Sequence, residues 1–282
     1  MPDKSPLITI LRLLGMFLPG DYLKTTFYLN LIARPRRALR TSVYAFYRMD
    51  HIYEVLQEFK NNYRGKFSIL EFGTADGYSF IKMLYATKYL KMSDRVMVHG
   101  FDSFEGLPPA DPGDQNLISD NSFVAGDYRG RYEELEEYCR RRYQNYQIHK
   151  GHFETSITEA FLGTFKTYLP ILVWIDCDYY RSARTVLERL MPYLPNGCVI
   201  YFDDYDNINF GSRFTGEARL VREINSGKFG DAIELVRDPR LSLDTPRIYR
   251  FINYYSPPQF ECIRKMPRSE VMNPRTNGSP LP

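Results

Sequence analysis

Cysteine is scarce in this chain of 282 residues, and its four cysteines lie far apart. No two of Cys139, Cys177, Cys198 and Cys262 have the short spacing of a zinc site or of a C-x-x-C redox motif. Isolated thiols are typical of proteins in a reducing compartment, so we expect a cytoplasmic protein.

The chain also lacks a strong net charge and a long apolar run. The formal net charge is only +3, and no basic run interleaved with aromatic residues occurs, which argues against nucleic-acid binding. A membrane-spanning helix needs roughly 18 consecutive apolar residues, but the run from Leu7 to Leu18 contains Arg12. No small-residue cleavage site follows this run, so a signal peptide is not indicated.

Residues 1–60 are predicted to form a helical arm, and its first 40 residues carry an excess of basic over acidic side chains. Apolar residues recur there at the spacing of an amphipathic helix. We expect this arm to act as a lid or to pair with another subunit in a homo-oligomer. Contact with a membrane surface is an alternative that we favour less.

Residues 61–255 alternate between short apolar strands and amphipathic helices, which predicts an α/β domain with a mostly parallel sheet. A late pair of strands joined by a turn containing Asp238-Pro239 is expected to add one antiparallel strand, giving seven in all. The remaining residues, 256–282, are rich in proline and are predicted to be disordered.

The first strand of this domain runs into a glycine turn. Glu71 ends the strand, and the turn contains Gly73 and Gly77. The dinucleotide-binding fingerprint requires glycine at its first, third and sixth positions, but Ala75 and Tyr78 occupy the last two. The looser spacing after an acidic residue resembles the first motif of S-adenosylmethionine-dependent methyltransferases with a Rossmann-like fold.

The second strand ends in Asp102, at the place where a nucleoside-binding crevice uses a carboxylate to accept hydrogen bonds from ribose hydroxyls. The alternative is that Asp102 caps the following loop. That loop, residues 103–126, is rich in proline, glycine and aspartate, and its length predicts a functional lid.

Carboxylates also follow two later strands. Asp176 comes directly after one, and Asp203 and Asp204 come directly after the next. Neighbouring parallel strands end at the same sheet edge, so these three side chains can converge, and an all-oxygen set of this kind suits Mg²⁺ rather than zinc. The alternative is that they cap the loops and helices that follow.

Five motifs in matching order, over about residues 65–225, make the chain similar to the macrocin O-methyltransferase family. They are the Glu71 to Gly77 turn, Phe101 to Pro108, Gly151 to Thr155, Asp176 to Tyr180, and Asp203 to Tyr205. The resemblance implies a class I methyltransferase fold, S-adenosylmethionine and Mg²⁺ as cofactors, and a small-molecule acceptor such as a sugar or another natural-product hydroxyl.

The resemblance also implies roles for individual residues. Metal binding would fall to Asp176, Asp203 and Asp204. The predicted cofactor-binding residues are Glu71, Gly73, Thr74, Gly77, Asp102, Ser103, Gly151, His152 and Asp176. For the general base that deprotonates the acceptor we favour Asp206 over His152, since His152 could equally lie beside the adenine ring.

Two departures from the family pattern concern the acceptor pocket. Arg181, Ser182 and Ala183 replace the usual Glu and Ser-Thr, and Asn196 replaces a glycine before the fifth strand. Two other functions therefore stay open. One is a protein of this fold without metal chemistry, and the other is a non-catalytic cofactor-binding or scaffolding protein.

Overall fold

The computed structural model describes residues 49–110, 124–205, 215–238, 240–241 and 247–256. Most of the predicted arm, the middle of the predicted lid and nearly all of the predicted disordered tail lie outside this part of the chain. The domain boundaries at 60 and 255 therefore stay predictions.

The described residues form seven strands and seven α-helices. The strands are β1 (Lys66–Phe72), β2 (Val96–Asp102), β3 (Tyr146–Lys150), β4 (Tyr168–Ile175), β5 (Val199–Phe202), β6 (Ile233–Arg237) and β7 (Ile248–Asn253). The helices are α1 (Met49–Asn62), α2 (Tyr78–Tyr89), α3 (Tyr132–Arg140), α4 (Phe153–Ser156), α5 (Glu159–Gly163), α6 (Tyr180–Leu190) and α7 (Gly216–Asn225), with 3₁₀ turns at Thr164–Lys166 and Met191–Tyr193.

All seven strands join one sheet in the order β3-β2-β1-β4-β5-β7-β6. Neighbouring strands run parallel from β3 to β5, whereas β7 pairs antiparallel with both β5 and β6. The predicted mostly parallel sheet with one antiparallel strand is therefore confirmed.

Helices cover both faces of the sheet, so the central strands are buried on both sides. Residues 67–72 of β1 and 170–175 of β4 are all buried. One core contains Phe59 of α1 and Leu84 of α2, and the opposite core contains Val186 of α6 and Leu220 of α7. The apolar runs that predicted these strands thus correspond to the middle layer of a three-layer fold.

The sheet has its switch point between β1 and β4. The chain continues from β1 to β2 and β3 on one side, and from β4 to β5 on the other. Connections that diverge in this way leave a crevice outside the carboxyl ends of the strands. Phe72 and Ile175, paired in the sheet register, mark its floor.

A buried ion cluster joins the start of the domain to its last strand. Arg250 of β7, which is fully buried, donates to Asp238 Oδ2 at 2.7 Å and to Glu58 Oε2 on α1 at 2.8 Å. Burial alone would raise the pKa of Asp238, but the charge and hydrogen bond of Arg250, together with the charge of Arg240, outweigh burial and lower that pKa below 3.8.

Helix α3 begins at Tyr132, although the helical spacing of the sequence extends back to Tyr128. Tyr128 has a left-handed backbone with φ 58°, which a right-handed helix excludes. Gly130 follows in close contact with the glycine turn, where a Cβ would lie 2.4 Å from the carbonyl oxygen of Ala75. Packing against this turn therefore replaces the first helical turn.

Candidate active site and metal centre

A cavity of about 1010 Å³ opens at the carboxyl ends of β1, β2, β4 and β5. Its lining includes most of the site residues predicted from the sequence: Gly73, Thr74, Asp102, Ser103, Gly151, His152, Asp176, Asp203 and Asp204. Glu71 and Gly77 are not among the lining residues, and Asp206 lies outside the described part of the chain.

Gly73 lets two strand ends approach each other at the floor of the cavity. Its φ is 94°, and a Cβ built on it would lie 1.6 Å from the carbonyl oxygen of Asp176. Its N–H donates to the carbonyl of Phe101 at 2.9 Å, which ties the turn to the end of β2. Only glycine fits this backbone and this space.

Gly77 has a structural role at the start of α2. It is the residue before the helix, with φ 80°, and a Cβ there would lie 2.3 Å from the side chain of Leu135 on α3. Leu135 is fully buried. The second glycine of the motif therefore allows α2 and α3 to pack, and it contributes to the cavity only through the shape of the turn.

Glu71 lies beneath the glycine turn with no exposed surface. Burial raises the pKa of its carboxyl group to about 8, although the nearby hydroxyl groups of Ser79 and Thr74 partly oppose this. The side chain faces the first turn of α2. Glu71 would therefore affect a ligand in the cavity indirectly, by supporting the glycine turn.

Asp102 caps the loop after β2 and also holds the turn after β1. Its Oδ2 accepts a hydrogen bond from the N–H of Ala75 at 2.8 Å, and its Oδ1 accepts one from the N–H of Phe104 at 2.6 Å. The same carboxylate lines the cavity. It holds both loops at the ends of β1 and β2, and its contact with a ribose stays a prediction.

The three predicted metal ligands converge. Asp176, Asp203 and Asp204 each offer a carboxylate oxygen, and these oxygens lie within 4.8 Å of one another. Two backbone hydrogen bonds align the strand ends that carry them: the N–H of Asp176 donates to Phe72, and the N–H of Asp203 donates to Ile175, each at 2.9 Å. Parallel pairing of β1, β4 and β5 thus builds the cluster.

The electrostatics of this cluster favour a cation. Burial, followed by the charges of Asp203 and Asp204, raises the pKa of Asp176 well above its usual range. Carboxylates held this close repel one another unless a positive charge lies among them. Hard oxygen ligands with space for water suit Mg²⁺, so the residues present fit the predicted ion.

Two further acidic residues belong to the site, and the sequence analysis did not assign either a function there. Asp178 lines the cavity and has a left-handed φ of 58°. Burial, and then the charge of Asp204, raises its pKa to about 8. Its position two residues after Asp176 in the sequence indicates that it lies near the same site. Glu217 is buried beside the cluster, but it follows Asp204 by 13 residues and gave no local signal.

His152 lies at the rim of the cavity rather than at the acidic cluster. Its side chain is 61% exposed and its Nε2 is 3.7 Å from Glu105 Oε2. It also marks the start of helix α4, directly after Gly151. This rim position fits the predicted contact with a cofactor ring better than it fits proton removal at the acidic cluster.

Backbone strain is concentrated around the cavity. Five non-glycine residues in the described chain have positive φ, and four of them border this site: Ala75, Phe104, Tyr128 and Asp178. Ala75, Tyr128 and Asp178 line the cavity directly. Strained backbone persists where the surrounding structure enforces it, most often at functional sites.

Part of the chain matches a known family of domains. Residues 70–205 match the family model of a methyltransferase domain, which implies S-adenosylmethionine as the methyl donor. The predicted methyltransferase is thereby confirmed. No curated protein matches the sequence.

Solved structures show the same fold. The calicheamicin methyltransferase CalS11 superimposes with a TM-score of 0.59 at 20% identity, over 90% of this chain and 95% of that chain. A second structure of CalS11, described as a TDP-rhamnose 3'-O-methyltransferase, gives a TM-score of 0.51 at 19% identity over 90% and 97%. The O-methyltransferase NovP gives 0.54 at 20% identity over 73% and 79%.

At this level of identity, the superpositions establish the fold. They confirm the Rossmann-like fold predicted from the sequence, which CalS11 and NovP share. None of the described helices is long and apolar enough to cross a membrane.

Proposed function

We propose that this protein is an S-adenosylmethionine-dependent O-methyltransferase that methylates a hydroxyl group of a small molecule with the assistance of Mg²⁺. The observation that carries the proposal is that Asp176, Asp203 and Asp204 converge in the same cavity as the glycine turn. The cavity volume of about 1010 Å³ reaches the top of the range of roughly 300–1,000 Å³ for ligand pockets. It therefore offers space for a cofactor and an acceptor together.

The cofactor side of the cavity is formed by the loops after β1, β2 and β3. Thr74 and Asp102 would contact the nucleoside, with Ser103, Gly151 and His152 at the rim. When bound, S-adenosylmethionine supplies the methyl group that the acceptor oxygen receives. The protein's contribution is to hold that donor in line with the acceptor and to limit water access.

The metal side of the cavity is formed by the loops after β4 and β5. Asp176, Asp203 and Asp204 would hold Mg²⁺ through their carboxylate oxygens. A divalent cation there would orient the acceptor hydroxyl and lower its pKa. The carboxylates of Asp176, Asp203 and Asp204 would fix the position of the cation relative to the glycine turn.

Removal of the acceptor proton needs a base next to the metal side. Asp178 is a candidate, because it lines the cavity and lies two residues after Asp176. Asp206, favoured from the sequence, lies outside the described residues and stays a prediction. We propose Asp178 as the base, with Asp206 as the competing candidate.

The acceptor is proposed to be a sugar or another natural-product hydroxyl. The cavity lining includes Arg181 and Ser182, two of the positions at which the sequence departs from the family pattern. They lie three and four residues after Asp178 in the sequence, and we propose that they help to select the acceptor. Cytoplasmic location, a homo-oligomer and the role of residues 1–60 stay predictions.

Calorimetry tests this function and its two alternatives. S-adenosylhomocysteine is titrated into the protein with chelator and with Mg²⁺, and binding is expected in both conditions because the metal serves the acceptor. Absence of binding in both would contradict the proposal.

A product screen completes the test. Labelled S-adenosylmethionine is incubated with TDP-rhamnose, simple glycosides and phenols, with Mg²⁺ or with chelator, and methylated products are detected by mass spectrometry. Product formed only with Mg²⁺ supports the proposal. Equal product in chelator indicates metal-free methyl transfer, and cofactor binding without any product would favour a non-catalytic protein.

A further inference from the structure

Glu217 occupies an unusual position on helix α7. The buried face of this helix contains Leu220, Val221 and Ile224, and Glu217 lies on the same face at helical spacing. It is 1% exposed. The periodicity of the helix calls for an apolar residue at this position, and a buried carboxylate costs free energy unless it has a specific partner.

The partner of Glu217 is the backbone of a proposed metal ligand. Its Oε2 accepts a hydrogen bond from the N–H of Asp204 at 2.9 Å. Its Oε1 is buried and has no hydrogen-bond partner among the described residues. Residues 203–215 lie between β5 and α7 in the sequence, and this hydrogen bond joins the segment just after β5 directly to the first turn of α7.

Glu217 acts through Asp204 rather than as a further ligand. The carboxylate oxygens that lie within 4.8 Å of one another belong to Asp176, Asp203 and Asp204, and Glu217 is outside that group. The hydrogen bond instead constrains the backbone from which the Asp204 carboxylate projects. Outer partners of this kind commonly orient metal ligands.

We propose that Glu217 is a positioning residue for the cation site, holding Asp204 so that its carboxylate faces Asp176 and Asp203. The inference rests on the proposed Mg²⁺ site. It explains why an acidic side chain replaces an apolar one on the buried face of α7. The proposed cation site is then held in place both by the sheet and by α7.

The test measures metal affinity without the methyl-transfer reaction. Mn²⁺, used as a spectroscopic probe for Mg²⁺, is titrated into the full-length protein and free ion is followed by electron paramagnetic resonance. Glu217→Met removes the acceptor at similar volume and is expected to weaken binding about 10- to 100-fold, the usual effect of losing an outer partner. Glu217→Gln keeps an oxygen that can accept the Asp204 N–H, so it is expected to restore most of the affinity.

Glu223→Met is the matched control on the same helix. Glu223 pairs with Arg219 and Lys228 and accepts from Tyr180, away from the cation site. Its substitution is expected to leave Mn²⁺ affinity unchanged. Melting temperature and S-adenosylhomocysteine affinity, measured on every variant, verify that the fold is retained.

The outcomes separate this inference from the function on which it rests. If the wild-type protein binds Mn²⁺ and Glu217→Met binds it equally well, the positioning role is wrong while the metal site stands. If both Glu217 variants lose affinity equally with the fold retained, the hydrogen bond to Asp204 is not what matters, and the inference is again overturned. If the wild-type protein binds no Mn²⁺, both the metal site and the positioning role fail.

Discussion

The carboxylate of Asp102 accepts a hydrogen bond from the N–H of Ala75 at 2.8 Å. This contact joins the glycine turn after β1 to the end of β2, and it places one acidic side chain between two loops and the proposed ribose position. Cofactor binding should therefore be sensitive to Asp102.

Asp102→Ala is expected to weaken S-adenosylhomocysteine binding by about 1–3 kcal/mol, because a buried hydrogen-bonding carboxylate is lost. Asp102→Asn should lose less affinity for S-adenosylhomocysteine, since the amide oxygen can still accept a hydrogen bond from one loop N–H. Calorimetry measures both variants. Unchanged affinity in Asp102→Ala would remove this residue from the cofactor site.

The two candidate bases are separated by their effect on turnover. Asp178→Asn is expected to lower kcat by about 10²- to 10⁴-fold, the usual contribution of a general base, while S-adenosylhomocysteine affinity stays close to that of the wild type. Rates are measured with the acceptor identified by the product screen. If Asp206→Asn lowers kcat by this amount and Asp178→Asn does not, Asp206 is the base.

Gly73→Ala is expected to destabilise the fold strongly. The added methyl group would meet the backbone oxygen of Asp176 at 1.6 Å, and overpacking typically costs about 1–3 kcal/mol or more. Gly163→Ala is the matched control, since nothing lies within 4 Å of a Cβ there. Urea unfolding should show a loss of stability for Gly73→Ala alone. Equal stability of the two variants would refute the close approach of the ends of β1 and β4.

The buried ion cluster should control stability. Arg250→Met leaves the buried Asp238 with only the largely exposed Arg240 as a cationic partner, so a loss of about 3–5 kcal/mol is expected. Arg240→Met, which removes a largely exposed guanidinium from the same cluster, should cost much less. Urea unfolding of both variants tests the difference, and equal losses would contradict the dominant role of Arg250.

The same cluster predicts a pH dependence. The pKa of Asp238 is lowered in the folded protein from its ordinary value of 3.8, so its contribution to stability is fully present above that value. The contribution is lost as pH falls through the depressed folded pKa. Stability of the wild type should therefore fall in acid more steeply than that of Asp238→Asn, and parallel pH profiles would count against this linkage.

The sheet and the convergence of Asp176, Asp203 and Asp204 at its edge could be predicted from the sequence because local patterns determine them. Apolar runs such as that ending at Ile175 fit strands buried on both faces, and parallel strands end at one edge. Asp176 and Asp203 were therefore expected to meet although 27 residues separate them. The same reasoning located Asp102 at the end of β2.

Other features depend on contacts between distant residues, which no local pattern contains. Arg250 reaches Glu58 across 192 residues, and Glu217 reaches Asp204 through the packing of α7 against the sheet. The start of α3 at Tyr132 depends on the contact of Gly130 with Ala75, which helical periodicity does not show. The cofactor contact of Gly77 stays a prediction, and no local pattern shows that its missing side chain allows α2 to pack against Leu135.

The most direct test of the account is a calorimetric titration of Mg²⁺ into the protein loaded with S-adenosylhomocysteine. The wild type is expected to bind one ion, and Asp203→Asn is expected to lose that site while it keeps its cofactor affinity, because a neutral amide no longer supplies the charge that holds a hard cation. If the wild type takes up no Mg²⁺, or if Asp203→Asn binds it as tightly as the wild type, the three carboxylates are not the metal site.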